Sequence, residues 1–312
     1  MLNSTKPATQ KSNVDQAVAK FRTVAGVQTN VEFANCQANL NRMLEWLRDD
    51  RLVSADLVVF PECVLSGYCF ESLDEAIPHS QSIPGKATHE IQEHCRASGQ
   101  FVAFGMLETG EAGNIYNTCV LIGPEGLIAK YRKIHLPGLG VDRFTTSGGK
   151  PFQVYEANEM QIGIHICYDG VFPESGRVMA MDGADLLILP TNWPPGADTF
   201  AKYIPNARAL ENNVYFLAVN RVGTERGFRF IGQSRLCDTN GNVISEAPAP
   251  SVTNPRTTGT WESLDEEAII IGRIDLERAR NKCLVRVPGQ HVIDRWADRH
   301  PEHYGRILEP PT

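Results

Sequence analysis

The run ADLVVFPE at residues 55–62 returns, nearly letter for letter, as ADLLILPTN at residues 184–192. Each is a continuous apolar stretch closed by proline. Successive apolar residues put apolar side chains on both faces of a strand, which suits a strand covered on both sides. The terminal proline stops further ladder pairing. A chain that makes this demand twice is strongly limited in what it can fold into.

The elements around the two runs recur in the same order. In the first half, TVAGVQT (23–29) reads as a strand, and NVEFANCQANLNRMLEWLRDD follows with apolar residues at helical spacing. After ADLVVFPE come a helix, ATHEIQEHCRASG (87–99), and a strand, FVAFGMLE (101–108). A hairpin then turns at residues 123–126. In the second half, QIGIHICYD (161–169), ADLLILPTN, the helix YIPNARALENN (203–213), VYFLAVNRVG (214–223) and a hairpin turning at residues 238–241 take the corresponding places. Two similar α/β halves, each with helices on one face of its sheet, predict a four-layer α-β-β-α sandwich.

Composition narrows the function classes. The 312 residues are 42% hydrophobic, enough for one large core, and the net charge is −7. No Lys/Arg-rich run is present, so nucleic acid is a poor partner. No apolar window approaches the roughly 18 residues of a membrane span. Residues 1–20 are polar, lack the apolar core of a signal peptide and read as a disordered leader. The eight cysteines are scattered with no CxxC pair, which disfavours structural zinc and fits free thiols in a reducing cytoplasm. Residues 282–312 carry Trp296, Tyr304 and several arginines without core periodicity. They read as a solvated tail or as an arm lying on a second subunit.

Three strand ends carry reactive groups: Glu62 after the first ADL run, Lys133 after the first hairpin, and Cys167 after the first strand of the second half. Each has an ordinary reading, as a turn residue, a solvated hairpin end and core filler. Together they make a chemical set. A free thiol is mostly protonated at neutral pH. A carboxylate can accept its proton, and an ammonium can favour the thiolate and hold an oxyanion. His135 and His165 are weaker candidates for a His–Cys pair, since His165 is two residues from Cys167 on one strand.

The surrounding motifs resemble the nitrilase, or carbon–nitrogen hydrolase, superfamily. The matching stretches are FPECVLSGY around Glu62, KYRKIHLPG around Lys133 and GIHICYDGVFPES around Cys167. LPTNWP (189–194), ARALENNVYFLAVNRVG (207–223) and GQSRLCDTNGNV (232–243) add to them. The resemblance implies a hydrolase domain over residues 21–281 that pairs into a homodimer or higher homo-oligomer, with a C-terminal arm from 282. It implies a Glu62–Lys133–Cys167 triad, an oxyanion contact from the Tyr168 backbone N–H, and no metal or organic cofactor. One departure stands out. Where the family often has a second glutamate after the lysine, this chain has Asp142, which is expected to take that role.

The residues after the nucleophile bear on substrate. Nitrile-hydrolysing branches tend to carry tryptophan then glutamate there, whereas this chain has Tyr168 and Asp169. Branches acting on carbamoyl amino acids or dicarboxylic monoamides tend to place arginine three or four residues on, and this chain has Gly170 and Val171. Arg143 or Arg177 can still supply a carboxylate clamp. The expected activity is hydrolysis of a small aliphatic amide through a thioester, with ammonia released. An N-carbamoyl amidohydrolase, a nitrilase and a non-catalytic scaffold or sensor are the alternatives. Tyr68, Tyr116, Phe144, Asn192 and Trp193 are the expected substrate contacts.

Overall fold

A computed structural model describes residues 20–248 and 266–310 of the chain. All but one residue of the expected leader lies outside the described residues.

The first half comprises β1 (Phe21–Gln28), α1 (Cys36–Trp46), β2 (Leu57–Val59), α2 (Leu73–Ala76), α3 (Lys86–Ser98), β3 (Phe101–Thr109), β4 (Ile115–Gly123) and β5 (Gly126–Arg132). The second comprises β6 (Val154–Ala157), β7 (Met160–Ile164), α4 (Pro173–Met181), β8 (Leu186–Thr191), α5 (Asp198–Asn212) and β9 (Tyr215–Asn220). It continues through a short ladder of β10 (Thr224–Glu225) and β11 (Phe228–Arg229) to β12 (Arg235–Cys237) and β13 (Val243–Glu246). Then follow β14 (Ala268–Asp275), α6 (Leu276–Arg280) and a last hairpin, β15 (Cys283–Val287) with β16 (His291–Asp294).

Two six-stranded sheets share one plan. The first runs β14-β1-β2-β3-β4-β5 and the second β6-β7-β8-β9-β12-β13. In each, three parallel strands are flanked by one antiparallel strand on one side and two on the other. The sheets stack face to face. Val24, Leu57, Val59, Cys119 and Leu121 of the first share a core with Ile162, Ile164, Leu186 and Leu236 of the second. The opposite face of the first sheet, with Ala25, Val27, Val58 and Phe104, packs on Leu40 and Met43 of α1 and Ile91 and Cys95 of α3. Helices α4 and α5 cover the second sheet through Met179, Ala201 and Ala209. This is the α-β-β-α sandwich.

The contact between sheets is close. A Cβ on Gly26 would stand 2.7 Å from a methyl of Val219, so β1 and β9 meet where one of them has no side chain.

Local details differ from the sequence expectation. Helix α1 begins only at Cys36, because Asn35 caps it by accepting from the Ala38 N–H. Phe33 is therefore outside the helix and packs on Phe70, ring centroids 4.7 Å apart. The edge strands β6 and β14 and the helix α4 were not anticipated. The C-terminal hairpin and the turns after it lie on α4 and α5 of the same chain. There Trp296 packs against the core, the Arg177 guanidinium sits 5.3 Å from its ring centroid, and Arg299 donates to the Met181 sulfur. Among the described residues, no helix is long and apolar enough to cross a membrane.

Candidate active site

Glu62 follows β2 by way of Pro61, at a point where β3 runs unusually close. A Cβ on Gly105 would lie 2.4 Å from the Cys63 nitrogen and 2.6 Å from the Glu62 Cα, so the close approach needs glycine. Lys133 is the first residue after β5. Its N–H donates to Asn117 O on β4 at 2.9 Å, and its carbonyl accepts from Gly148 N at 2.8 Å. The strand end is thus held from both sides.

These ends converge. The Lys133 ammonium donates to Glu62 Oε1 at 2.7 Å and to Asp142 Oδ2 at 2.5 Å, and all three side chains are shut off from solvent or nearly so. Asp142 comes from a single helical turn, Gly140–Arg143. The Tyr68 hydroxyl donates to its Oδ2 at 2.8 Å. Asn117 Nδ2 donates to Glu62 Oε1 at 2.7 Å and to Asp142 Oδ1 at 2.9 Å. Glu62 Oε2 is buried and has no partner among the described residues.

Cys167 opens a tight 3-10 turn, Cys167–Val171, three residues beyond β7. Its φ of 45° is left-handed, a conformation costing a non-glycine residue about 1–3 kcal/mol. Asp169 holds the turn in this shape. Its carboxylate accepts from the N–H of Ile166 at 3.0 Å, the Tyr131 hydroxyl at 2.7 Å, and the His135 N–H at 3.0 Å and Nδ1 at 2.8 Å. Tyr131 and His135 flank Lys133, so Asp169 ties the cysteine turn to the lysine strand. Arg208 on α5 donates to Gly170 O and Val171 O while pairing with Glu211 at 3.0 Å.

The charges perturb one another. Burial pushes the Cys167 thiol up to about 12, and the Glu62 carboxylate adds to this. Lys133, the Thr191 hydroxyl and the Asn192 N–H pull it back. Burial also raises Glu62; Lys133 opposes this and Asp142 reinforces it. Burial works against the Lys133 ammonium, but the carboxylates of Asp142 and Glu62 outweigh it and hold its pKa well above the ordinary range. The resting site therefore keeps the proton on sulfur, beside a carboxylate made more basic than usual.

The other expected residues fall out differently. The Tyr168 side chain is exposed and meets Phe172 edge-on. Tyr68 is buried behind Asp142. Asn192 is buried, and among the described residues neither its side-chain nitrogen nor its oxygen has a partner. Trp193 is nearly buried, and its backbone N–H donates to Asn220 Oδ1 at 2.9 Å. Phe144 lies under the Arg143 guanidinium, 4.8 Å away. Tyr116 is not brought to the site. It neighbours Asn117 on β4, so the two side chains take opposite faces, and Tyr116 stacks instead with Arg132 at 3.6 Å. The same alternation marks Asn117 as the inward residue, a signal the sequence reading missed, as it missed Tyr131 and Asp169. His165 points away from any catalytic pairing: its Nδ1 meets Ser175 Oγ at 3.1 Å and its ring packs on Phe216. Among the described residues, the one close group of three metal-ligand side chains is His300, Glu302 and His303, exposed on the arm.

The family model for carbon–nitrogen hydrolase matches residues 23–282. A nitrilase of Pyrococcus abyssi is 34% identical over 91% of this chain and 99% of its own. The omega-amidase NIT2 of Xenopus tropicalis is 31% identical over 83% of this chain and 90% of its own. A solved structure of a mutant amidase from Nesterenkonia sp. AN1, with the acetamide moiety of fluoroacetamide on its active-site cysteine, superposes with a TM-score of 0.72 at 20% identity. The match covers 92% of this chain and 97% of that one. The chain belongs to the carbon–nitrogen hydrolase family and is an enzyme of that class.

One pH dependence follows from the buried imidazole. Burial lowers His165 from 6.5 to about 4. The unfolded chain takes up this proton below about pH 6.5 and the folded chain only below about 4, so stability falls as pH drops through that window. The gap is worth about 3 kcal/mol. His165→Gln should therefore lose about 3 kcal/mol less than the parent between pH 7 and pH 4 in urea unfolding; an equal loss would contradict the assignment.

Proposed function

We propose that the enzyme hydrolyses a small aliphatic amide through a thioester on Cys167, releasing ammonia. The observation that carries this reading is the buried convergence of Glu62, Lys133 and Asp142, with Cys167 close enough for Glu62 and Lys133 to shift its thiol.

Cys167 Sγ attacks the carbonyl carbon while Glu62 takes the thiol proton. Lys133 has three N–H bonds and commits two to carboxylates, which leaves one for the oxyanion alongside the Tyr168 N–H. Glu62 then passes its proton to the leaving nitrogen as the C–N bond breaks. Water, activated by Glu62, attacks the thioester; the acid leaves and the proton returns to sulfur. Every step is assigned to a residue of this chain, so neither a metal nor an organic cofactor enters the reading. Asn192 and Trp193, just past β8, and Phe144 are the proposed substrate contacts, with Tyr68 behind them.

A carboxylate-bearing amide is a second reading with an observation in its favour. A cavity of about 250 Å³ shares Tyr68 with the site and is walled by Arg143. Among the described residues Arg143 pairs with no carboxylate; it donates only to Gly140 O and Phe70 O. The omega-amidase relatives favour this reading and the nitrilase relative favours nitriles.

We also infer one hydrolase domain over residues 21–281 followed by an arm, acting in the cytoplasm as a homodimer. Exposed Val178 and Phe200 on α4 and α5, beside the surface that the arm covers, support pairing through that face.

An ammonia-release assay over aliphatic amides, carboxylated amides, carbamoyl compounds and nitriles tests the activity. Turnover of amides that vanishes in Cys167→Ala is expected; amide-independent activity, or none with any class, would overturn it. Asp142→Asn should lower kcat about 100-fold in protein that still folds cooperatively in urea, since it loosens Lys133. Near-normal turnover would remove Asp142 from the mechanism.

A further inference from the structure

The two oxygens of Glu62 are not equivalent. Oε1 accepts from both Lys133 and Asn117, each at 2.7 Å, whereas Oε2 is buried without a partner among the described residues. A carboxylate gripped twice through one oxygen cannot rotate freely about its terminal bond. The other oxygen is then presented in a fixed direction with its lone pairs unoccupied.

Asn117 is suited to this task by its own surroundings. It is fully buried on β4, next to the strand end that carries Lys133. Its amide has two N–H donors and one oxygen of similar shape. The Cys63 thiol lies 3.5 Å from Oδ1 and can donate only to that oxygen. The amide is thereby oriented with both N–H bonds toward carboxylates, one to Glu62 and one to Asp142. The reverse orientation would set an oxygen against two carboxylate oxygens. The site holds two carboxylates and one ammonium, so the amide dipole also compensates negative charge that Lys133 alone leaves over.

We infer that Asn117 is a positioning residue that clamps Glu62 Oε1, and that Oε2 is the oxygen that receives the Cys167 proton. The inference rests on the proposed role of Glu62 as base. It adds which atom acts, which residue aims it, and why a cysteine follows the glutamate. The proton moves from Sγ to Oε2, the Oε1 bonds stay in place, and the new O–H is directed at the substrate nitrogen for the next transfer.

The test uses Cys167 itself and does not depend on knowing the substrate. The rate of alkylation by iodoacetamide at Cys167, followed by peptide mapping against pH, reports the group that accepts the thiol proton. A hydrogen bond to a carboxylate favours its charged form, so removing it raises that group's pKa. In Asn117→Ala the acid limb of the alkylation profile should move up by about one pH unit, a tenfold change at fixed acidic pH. In Asn117→Asp, which keeps the shape but adds a third carboxylate, it should move further. With an amide that the parent turns over, kcat should fall about 100-fold while KM stays within about threefold. Urea midpoints and near-UV circular dichroism identify variants that fold, and the aspartate form serves if the alanine form does not. A folded variant whose acid limb stays at the parent position would overturn the inference, whatever its activity. If the parent hydrolyses no amide yet the limb still shifts, the proposed activity fails and the positioning role stands.

Discussion

The site depends on an ammonium buried between two carboxylates. Lys133 has no contact with solvent, and neither do the side chains of Glu62 and Asp142. Removing such charges from water costs several kcal/mol per ion, and only close pairing with saturated hydrogen bonding offsets it. Here the pairing is nearly complete. Each carboxylate accepts from Lys133 and from Asn117, and Asp142 also accepts from Tyr68. The exception is one oxygen of Glu62, and it is the exception that makes the arrangement chemical as well as structural.

The fold supplies this arrangement by bringing strand ends together. Glu62 and Lys133 leave β2 and β5 of one sheet, and Cys167 follows β7 of the other. Stacking the sheets face to face puts the second sheet's cysteine against the first sheet's ion cluster. Asp169 then joins the two directly, through Tyr131 and His135 on one side and the Ile166 N–H on the other. The strained φ of Cys167 is tolerated because this carboxylate and Arg208 fix the turn around it. Cys167 is thus mounted on one rigid element and Glu62 on another.

Much of this was legible in the residues. Continuous apolar runs closed by proline located the central strands, since only strands covered on both faces carry such runs. An abrupt charge at the end of the first run singled out Glu62, and Lys133 stood out at the end of the first hairpin, because an isolated charge at such a strand end would be costly. What was not legible depended on partners distant in the chain. Asn117 looks like an ordinary strand residue until Glu62 and Asp142 arrive beside it. Asp169 looks like a turn residue until Tyr131 and His135 meet it. Tyr116 was expected at the site as one of several aromatic candidates, and strand alternation turned it away. The edge strands β6 and β14 escaped notice because each only completes a sheet whose centre lies elsewhere in the sequence.

The central claim is that one sulfur among eight becomes acylated by the substrate. Quenching steady-state turnover of an amide in acid, then locating the acyl group by mass spectrometry of peptides, tests it most directly. The account predicts a mass increase equal to the acyl group on the peptide containing Cys167 and on no other cysteine. Turnover with no covalent species, or an acyl group on Cys63 or another thiol, would contradict it.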